Sequence, residues 1–165
     1  NGIYGETWAA ALVASALVAS SPLEAVQRAN AAVPSGSRLR EALDALLALR
    51  ATGASANDAL GWVDQHLGHY NWVHTINNAA LITIGLLWGE SFLSAVTLTI
   101  SGGRDTDSSA ATVGSVWGAL HGSGTIPAEL VGTTHVRVRS AVANMDRVSI
   151  AELAARTTRL TEEIA

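Results

Sequence analysis

The sequence predicts an all-α protein, a compact bundle of many helices, and three observations carry that prediction. Of the 165 residues 48% are apolar, led by Ala, Leu and Val, and only 15% are charged, the profile of a densely packed chain rather than a disordered one. Helical spacing is explicit in residues 38–51, where Leu39, Leu43, Leu46, Leu47 and Arg50 fall in register, giving an apolar stripe with charges on the other side. Helix punctuation recurs too: Ser21-Pro22 supplies an N-cap and a first-turn proline, and Ser149 with Glu152 has the spacing of a capping box.

Taken in order, residues 1–5 (NGIYG) read as a glycine-punctuated loop leading into a helix over residues 6–20, favoured by Ala and Leu. Its apolar part, residues 9–20, is shorter than the roughly 18–20 residues of a membrane span and lacks a signal peptide's basic front end, so it reads as a buried helix. The next helix covers residues 22–33, with Glu24 favourable to its dipole, and stops before Pro34. The helix over 38–51 closes at Thr52-Gly53, and residues 54–68 form another, with Asn57 or Asp58 near its start and Trp62 on its inner face.

Residues 69–78 (HYNWVHTINN) break the pattern, and such a polar, aromatic loop between apolar helices is a binding edge. Residues 78–88 resume as apolar helix. Residues 92–100 are rich in β-branched side chains but read as helix, since an isolated strand has nothing to pair with. A helix follows Asp105, and Gly122, Gly124 and Pro127 make residues 121–127 a loop. Residues 131–145 alternate like a strand at THVRVR yet favour helix through an Ala-rich continuation, and residues 149–164 close the chain as an amphipathic helix. With no repeat, low-complexity tract or internal linker, residues 1–165 read as a single helical domain. The chain opens on Asn1 and its only methionine is Met145, so part of the protein is expected to be missing.

Composition excludes several chemistries. The net charge is −4 and the ten cations, all Arg, are scattered, so no nucleic-acid-binding patch is expected. The chain has no Lys, which removes a P-loop lysine and a Schiff base, and no Cys, which removes disulfides, thiolate zinc sites and cysteine nucleophiles. No arrangement of Ser, His and acid emerges from spacing. Absent cysteines testify for neither compartment; a cytoplasmic location without a membrane partner is the expectation.

Chemistry is densest in residues 101–122 (SGGRDTDSSAATVGSVWGALHG). Asp105 and Asp107 stand beside Thr106, Ser108 and Ser109, just after a diglycine that turns the backbone sharply. These are hard oxygen ligands of the kind a magnesium-type cation takes. The plainer reading is an N-cap with favourable charge at the dipole, but a cap needs only one such residue. Gly114, Gly118 and Gly122 recur every fourth residue, which predicts a face that a neighbouring helix approaches closely. His66 and His69 lack a third ligand at useful spacing and read as surface or core histidines. His74 and Asn78, four apart, either share a helix face near a pocket or serve helix-end hydrogen bonding. Among Trp8, Trp62, Trp72, Trp88 and Trp117, mostly core, only Trp72 is a candidate to stack on a ligand ring.

With these residues in hand, the chain resembles the C-terminal portion of an ADP-ribosylglycohydrolase-fold protein. That family carries Gly-x-Asp-Thr-Asp followed by Ser, Thr or Cys and then a small-residue helix, matched by Gly103, Asp105, Thr106, Asp107 and Ser108, then Ala110, Gly114 and Gly118. Upstream, NNAALITIGLLWGE resembles the helix and turn preceding that signature, and NGIYGETWAAALVASAL with VPSGSR resembles an earlier segment of one bacterial branch.

The resemblance implies an orthogonal helical bundle with a two-magnesium centre that hydrolyses the glycosidic bond of an ADP-ribosylated or ribosylated substrate. It implies Asp105, Asp107 and Ser108 as metal ligands, Asp105 and Asp107 being catalytic. It places Asn1, Gly2, Tyr4, Gly5 and Glu6 near the substrate, and Trp72, His74, Gly103 and Arg104 join them as candidate substrate contacts. The Arg104 cation would either repel metal or grip a diphosphate.

The family's other metal ligands lie in an N-terminal half with an Asp-Asp pair, and no such pair occurs in this chain. The expected partner is therefore that N-terminal half, as part of the same protein or as a second chain. The rival expectation is a module that binds ADP-ribose or a nucleotide ribose without chemistry, or a helical interaction subunit.

Overall fold

Residues Thr75–Trp88 are apolar around nearly the whole helical circumference, so they are stable in water only when other helices enclose them. The computed structural model, which describes residues 1–132 and 136–164, builds that enclosure. Its order is α1 (Gly2–Ala16), α2 (Pro22–Ala31), α3 (Arg38–Ala51), α4 (Ala56–Leu67), α5 (Thr75–Trp88), α6 (Phe92–Ser101) and α7 (Thr106–His121), then a 3-10 turn (Ser123–Thr125), α8 (Ala128–Val131), β1 (Arg137–Val138), β2 (Val148–Ser149) and α9 (Ile150–Ile164). Every residue of α5 from 76 to 87 is buried, with α1, α2, α3, α4, α6 and α7 packed against the helix. Each Leu or Ile withdrawn from water there stabilises by about 1.5–3 kcal/mol. The class is all-α, as the composition and periodicity predict.

Local chemistry sets the helix starts. Ser21 and Ser37 accept the backbone N–H groups of Glu24 and Arg40, while Ser55 with Asp58 and Ser91 with Ser94 close reciprocal capping boxes. The Ser91 box starts α6 in spite of its β-branched run. Gly85 then lets it lie against α5, because a Cβ at Gly85 would overlap Thr99 Oγ1.

Four expectations are corrected. Residues 1–5 are not a loop: α1 starts at Gly2, and the Gly5 N–H donates to Asn1 O at 2.8 Å. Gly5 is needed for close approach, since a Cβ there would overlap Thr75 Cγ2. Second, α1 ends at Ala16 and is not a buried helix. Its neighbours α2, α5 and α7 cover the side bearing Gly5, Trp8, Leu12 and Ala16, while Ile3 and Val13 face outward and Leu17 and Val18, just past its end, are exposed. Third, the close-packing glycines are Gly5, Gly85, Gly89 and Gly102 rather than the Gly114, Gly118, Gly122 series. Around a Cβ at Gly114 there is only ordinary contact with Phe92, around Gly118 there is open space, and Gly122 sits past the helix end at φ +81°.

Fourth, residues 131–145 are not the favoured helix. Arg137 and Val138 form β1, antiparallel to β2 with Arg137 opposite Ser149 and Val138 opposite Val148. Positive φ at Asn144 (63°) and Arg147 (55°) turns the connection in a way a helix does not permit. Thr133, Thr134 and His135, part of the THVRVR region, lie outside the described residues. The chain divides into two compact units, Asn1–Ile126 with α1–α7, and a second from Pro127 onward with α8, β1, β2 and α9.

Candidate functional site

Close packing of α1, α5 and α7 leaves a cavity of about 200 Å³ in the first unit. Its walls come from Gly5 and Trp8 of α1, Thr75 and Asn78 of α5, Val73 of the preceding loop, and Asp105, Ser108 and Thr112 of α7. Residues far apart in the chain, the NGIYG stretch and the D-T-D-S segment, thereby face one space.

Asp105 is the N-cap residue of α7, yet its carboxylate makes no capping bond. A capping Asp ordinarily accepts the N–H of the second or third helical residue. Here neither the Asp105 nor the Asp107 carboxylate has a hydrogen bond or ion pair among the described residues, and the Ser108 hydroxyl is equally unengaged. Asp105 is half-buried at the cavity, and Asp107 and Ser108 are exposed beside it. Two carboxylates and a hydroxyl are hard donors that suit magnesium. Among the described residues no group of three His, Cys, Asp or Glu side chains is gathered to hold a metal.

Asn78 was read as one of two options, and the structure gives it a specific set of partners. It is almost fully buried, 9% exposed, and its Oδ1 accepts from the Asp105 N–H at 3.0 Å and the Ser109 hydroxyl at 3.2 Å. Its Nδ2 donates to Trp72 O at 2.8 Å and His74 O at 3.0 Å. The signal available in the sequence was an Asn pair inside an otherwise apolar helix, where a buried amide requires partners. Trp8, Val73, Thr75 and Thr112 were also missed as cavity walls, because their convergence is tertiary.

Other candidates lie elsewhere. Among Asn1, Gly2, Tyr4, Gly5 and Glu6, only Gly5 lines the cavity; Gly2, Tyr4 and Glu6 are exposed. Trp72 is 56% exposed in the loop next to Val73, without lining the cavity. His74 caps α5, its Nδ1 accepting the Ile76 N–H at 3.2 Å, and stacks on Tyr70 at 4.2 Å. Burial first, then the Arg38 guanidinium, pushes the His74 pKa down, which suits an acceptor nitrogen. Gly103 is exposed with φ +63°, the left-handed turn its residue type permits. Arg104 turns to α4, its Nη2 donating to Asp64 Oδ1 at 2.9 Å, and it does not line the cavity. His66 stacks on Trp62 at 4.6 Å with Nδ1 2.9 Å from Trp62 O, and His69 packs on Tyr70. Trp8 and Trp117 are buried, and Trp62 and Trp88 are partly buried.

A family model described as ADP-ribosylglycohydrolase matches residues 1–164. No curated protein and no solved structure matches the chain.

Proposed function

Because this chain belongs to the ADP-ribosylglycohydrolase family, we propose that it forms one wall of a magnesium-dependent hydrolase centre acting on an ADP-ribosyl or related ribosyl glycosidic bond. The observation that carries the reading is the cavity joining Asp105 and Ser108 to Gly5 and Val73. Asp105, Asp107 and Ser108 would hold the cation, since their oxygens are unengaged and hard. A magnesium ion held by these residues would supply the means to orient ribose hydroxyls, activate water and offset developing charge. The chain's own part is to present the Asp105 carboxylate and the Ser108 hydroxyl to the cavity and to exclude water with Trp8 and Ile82 along its walls.

Two carboxylates and one hydroxyl leave much of a six-coordinate cation's demand unmet. The remaining ligands come from an N-terminal half, within the same protein or as a second chain. Support for such a cover is the run of exposed apolar side chains on and just after α1, where Ile3 is 78%, Leu17 69% and Val18 70% exposed. An apolar run of this kind marks an interaction surface. Gly5 and Trp8 reach the cavity from the same helix.

The test is Asp105→Ala with Asp107→Ala in the intact protein. Magnesium-dependent release of ADP-ribose from a modified substrate should fall by more than the roughly 100-fold that loss of a metal ligand's outer partner costs. Turnover at the wild-type rate would sink the assignment. A second reading, binding without chemistry, is favoured by the lack of a third gathered ligand among the described residues. Titrating free ADP-ribose with and without magnesium separates the two: tight binding with no turnover in the intact protein supports the second.

A further inference from the structure

We propose that Asn78 is the positioning residue that fixes the turn of residues 105–109, holding it from behind so that the Asp105 carboxylate is left free; the importance of that turn rests on the reading above. An amide side chain has two N–H donors and two acceptor lone pairs, and all four of these bonds are made by Asn78 within 3.2 Å. Only one orientation serves. Turned over, the NH2 group would face the Asp105 N–H and the oxygen would face two carbonyls, so the network itself assigns the atoms.

The consequence is mechanical. The loop ending at His74, the first turns of α5 and the start of α7 meet at one buried amide. An Asp at an N-cap normally spends its carboxylate on the helix it caps. At α7 the turn is instead anchored through the Asp105 backbone N–H and the Ser109 hydroxyl. Neutrality matters as well: a carboxylate at position 78 would oppose Asp105 and both carbonyls.

Asn77 is the matched control. It is fully buried one residue earlier and ties down the same loop, its Nδ2 donating to Asn71 O at 3.0 Å, but makes no bond to α7. Hydrogen–deuterium exchange of the full chain decides the matter. Asn78→Ala should speed exchange of the Asp105 and Ser109 amides, the two in this turn that have acceptors, about tenfold or more, while Asn77→Ala leaves them within about twofold, whatever each does to the melting temperature. Calorimetric titration with magnesium chloride should show about tenfold or greater weakening for Asn78→Ala alone, in the range set by outer partners of metal ligands. If Asn78→Ala does not fold, Asn78→Ser, with a smaller void and one hydroxyl, makes the same comparison.

Wild-type exchange in the position-78 variant, or an equal rise in both variants, overturns the proposal. The magnesium titration is made on the intact protein, since this chain carries only part of the ligand set; a wild type that binds no magnesium there overturns the magnesium reading, and the exchange comparison still decides the role of Asn78.

Discussion

At the scale of single residues, His74 couples stability to pH. Its Nδ1 accepts a backbone N–H, so the ring must be unprotonated there, and burial followed by the Arg38 charge lowers its pKa in the folded chain. The folded state then binds fewer protons than the unfolded one, and the contribution of His74 is complete above about pH 6.5 and declines as pH falls toward the lowered value. Urea unfolding should give a lower midpoint at pH 5.5 than at pH 7.5, and His74→Asn, which caps without titrating, should reduce that difference by up to about 1 kcal/mol. A difference unchanged by the substitution would refute the linkage. Carboxylates act further into acid. The half-buried Glu24, held by the Ser20 N–H and hydroxyl and then by Arg28, is lowered to about 2, so its contribution persists until pH falls through that value. Asp105 and Ser108, which line the cavity, stand out in the sequence because they sit in one short polar run. The role of Asn78 was not legible there, since the donors its Oδ1 accepts from lie 27 and 31 positions away.

Among the elements, glycines separate pattern from packing. Gly114, Gly118 and Gly122 carry the regular spacing, while close approach occurs at Gly85 and Gly89, which meet α6, at Gly102, which meets Leu81 of α5, and at Gly5, where α1 meets Thr75. Opposite signs follow for one substitution. Gly85→Ala should destabilise by about 1–3 kcal/mol, because a Cβ there meets the Thr99 hydroxyl and lies 2.6 Å from Ala95 O. Gly118→Ala, with open space around the new methyl, should stabilise by about 0.5–1 kcal/mol through helix propensity. Chemical denaturation of both variants checks this, and destabilisation by Gly118→Ala would mean that α7 is covered there after all. The start of α2 was readable from Ser21 and Pro22, whereas the capping roles of Ser37, Ser55 and Ser91 are shown by the structure, with Ser55 rather than Asn57 or Asp58 as the N-cap of α4. The start of α1 was not readable, because two glycines in five residues resemble a turn until Thr75 is seen to require one of them.

For the whole molecule, the division after Ile126 places every cavity residue in the first unit. A chain cut to residues 1–126 should therefore unfold in a single cooperative transition with its melting temperature within a few degrees of the full chain's. A broad, non-cooperative melt by circular dichroism would show that the later residues are needed. The second unit was the least legible part, since a two-residue strand is stabilised by its partner across the ladder and not by its own composition.

Composition, periodicity and caps determined by themselves that this chain is helical, and the contiguous Asp-Thr-Asp-Ser segment identified the oxygen donors, because these signals are local and need no knowledge of what lies opposite. Tertiary structure alone decided that Asp105 does not cap α7, that Arg104 is held by Asp64 away from the cavity, that Asn78 secures the turn, and that one face of α1 has no cover. Each of these depends on which distant group is within hydrogen-bond or packing distance, and that is fixed only when α5 is enclosed by its neighbours.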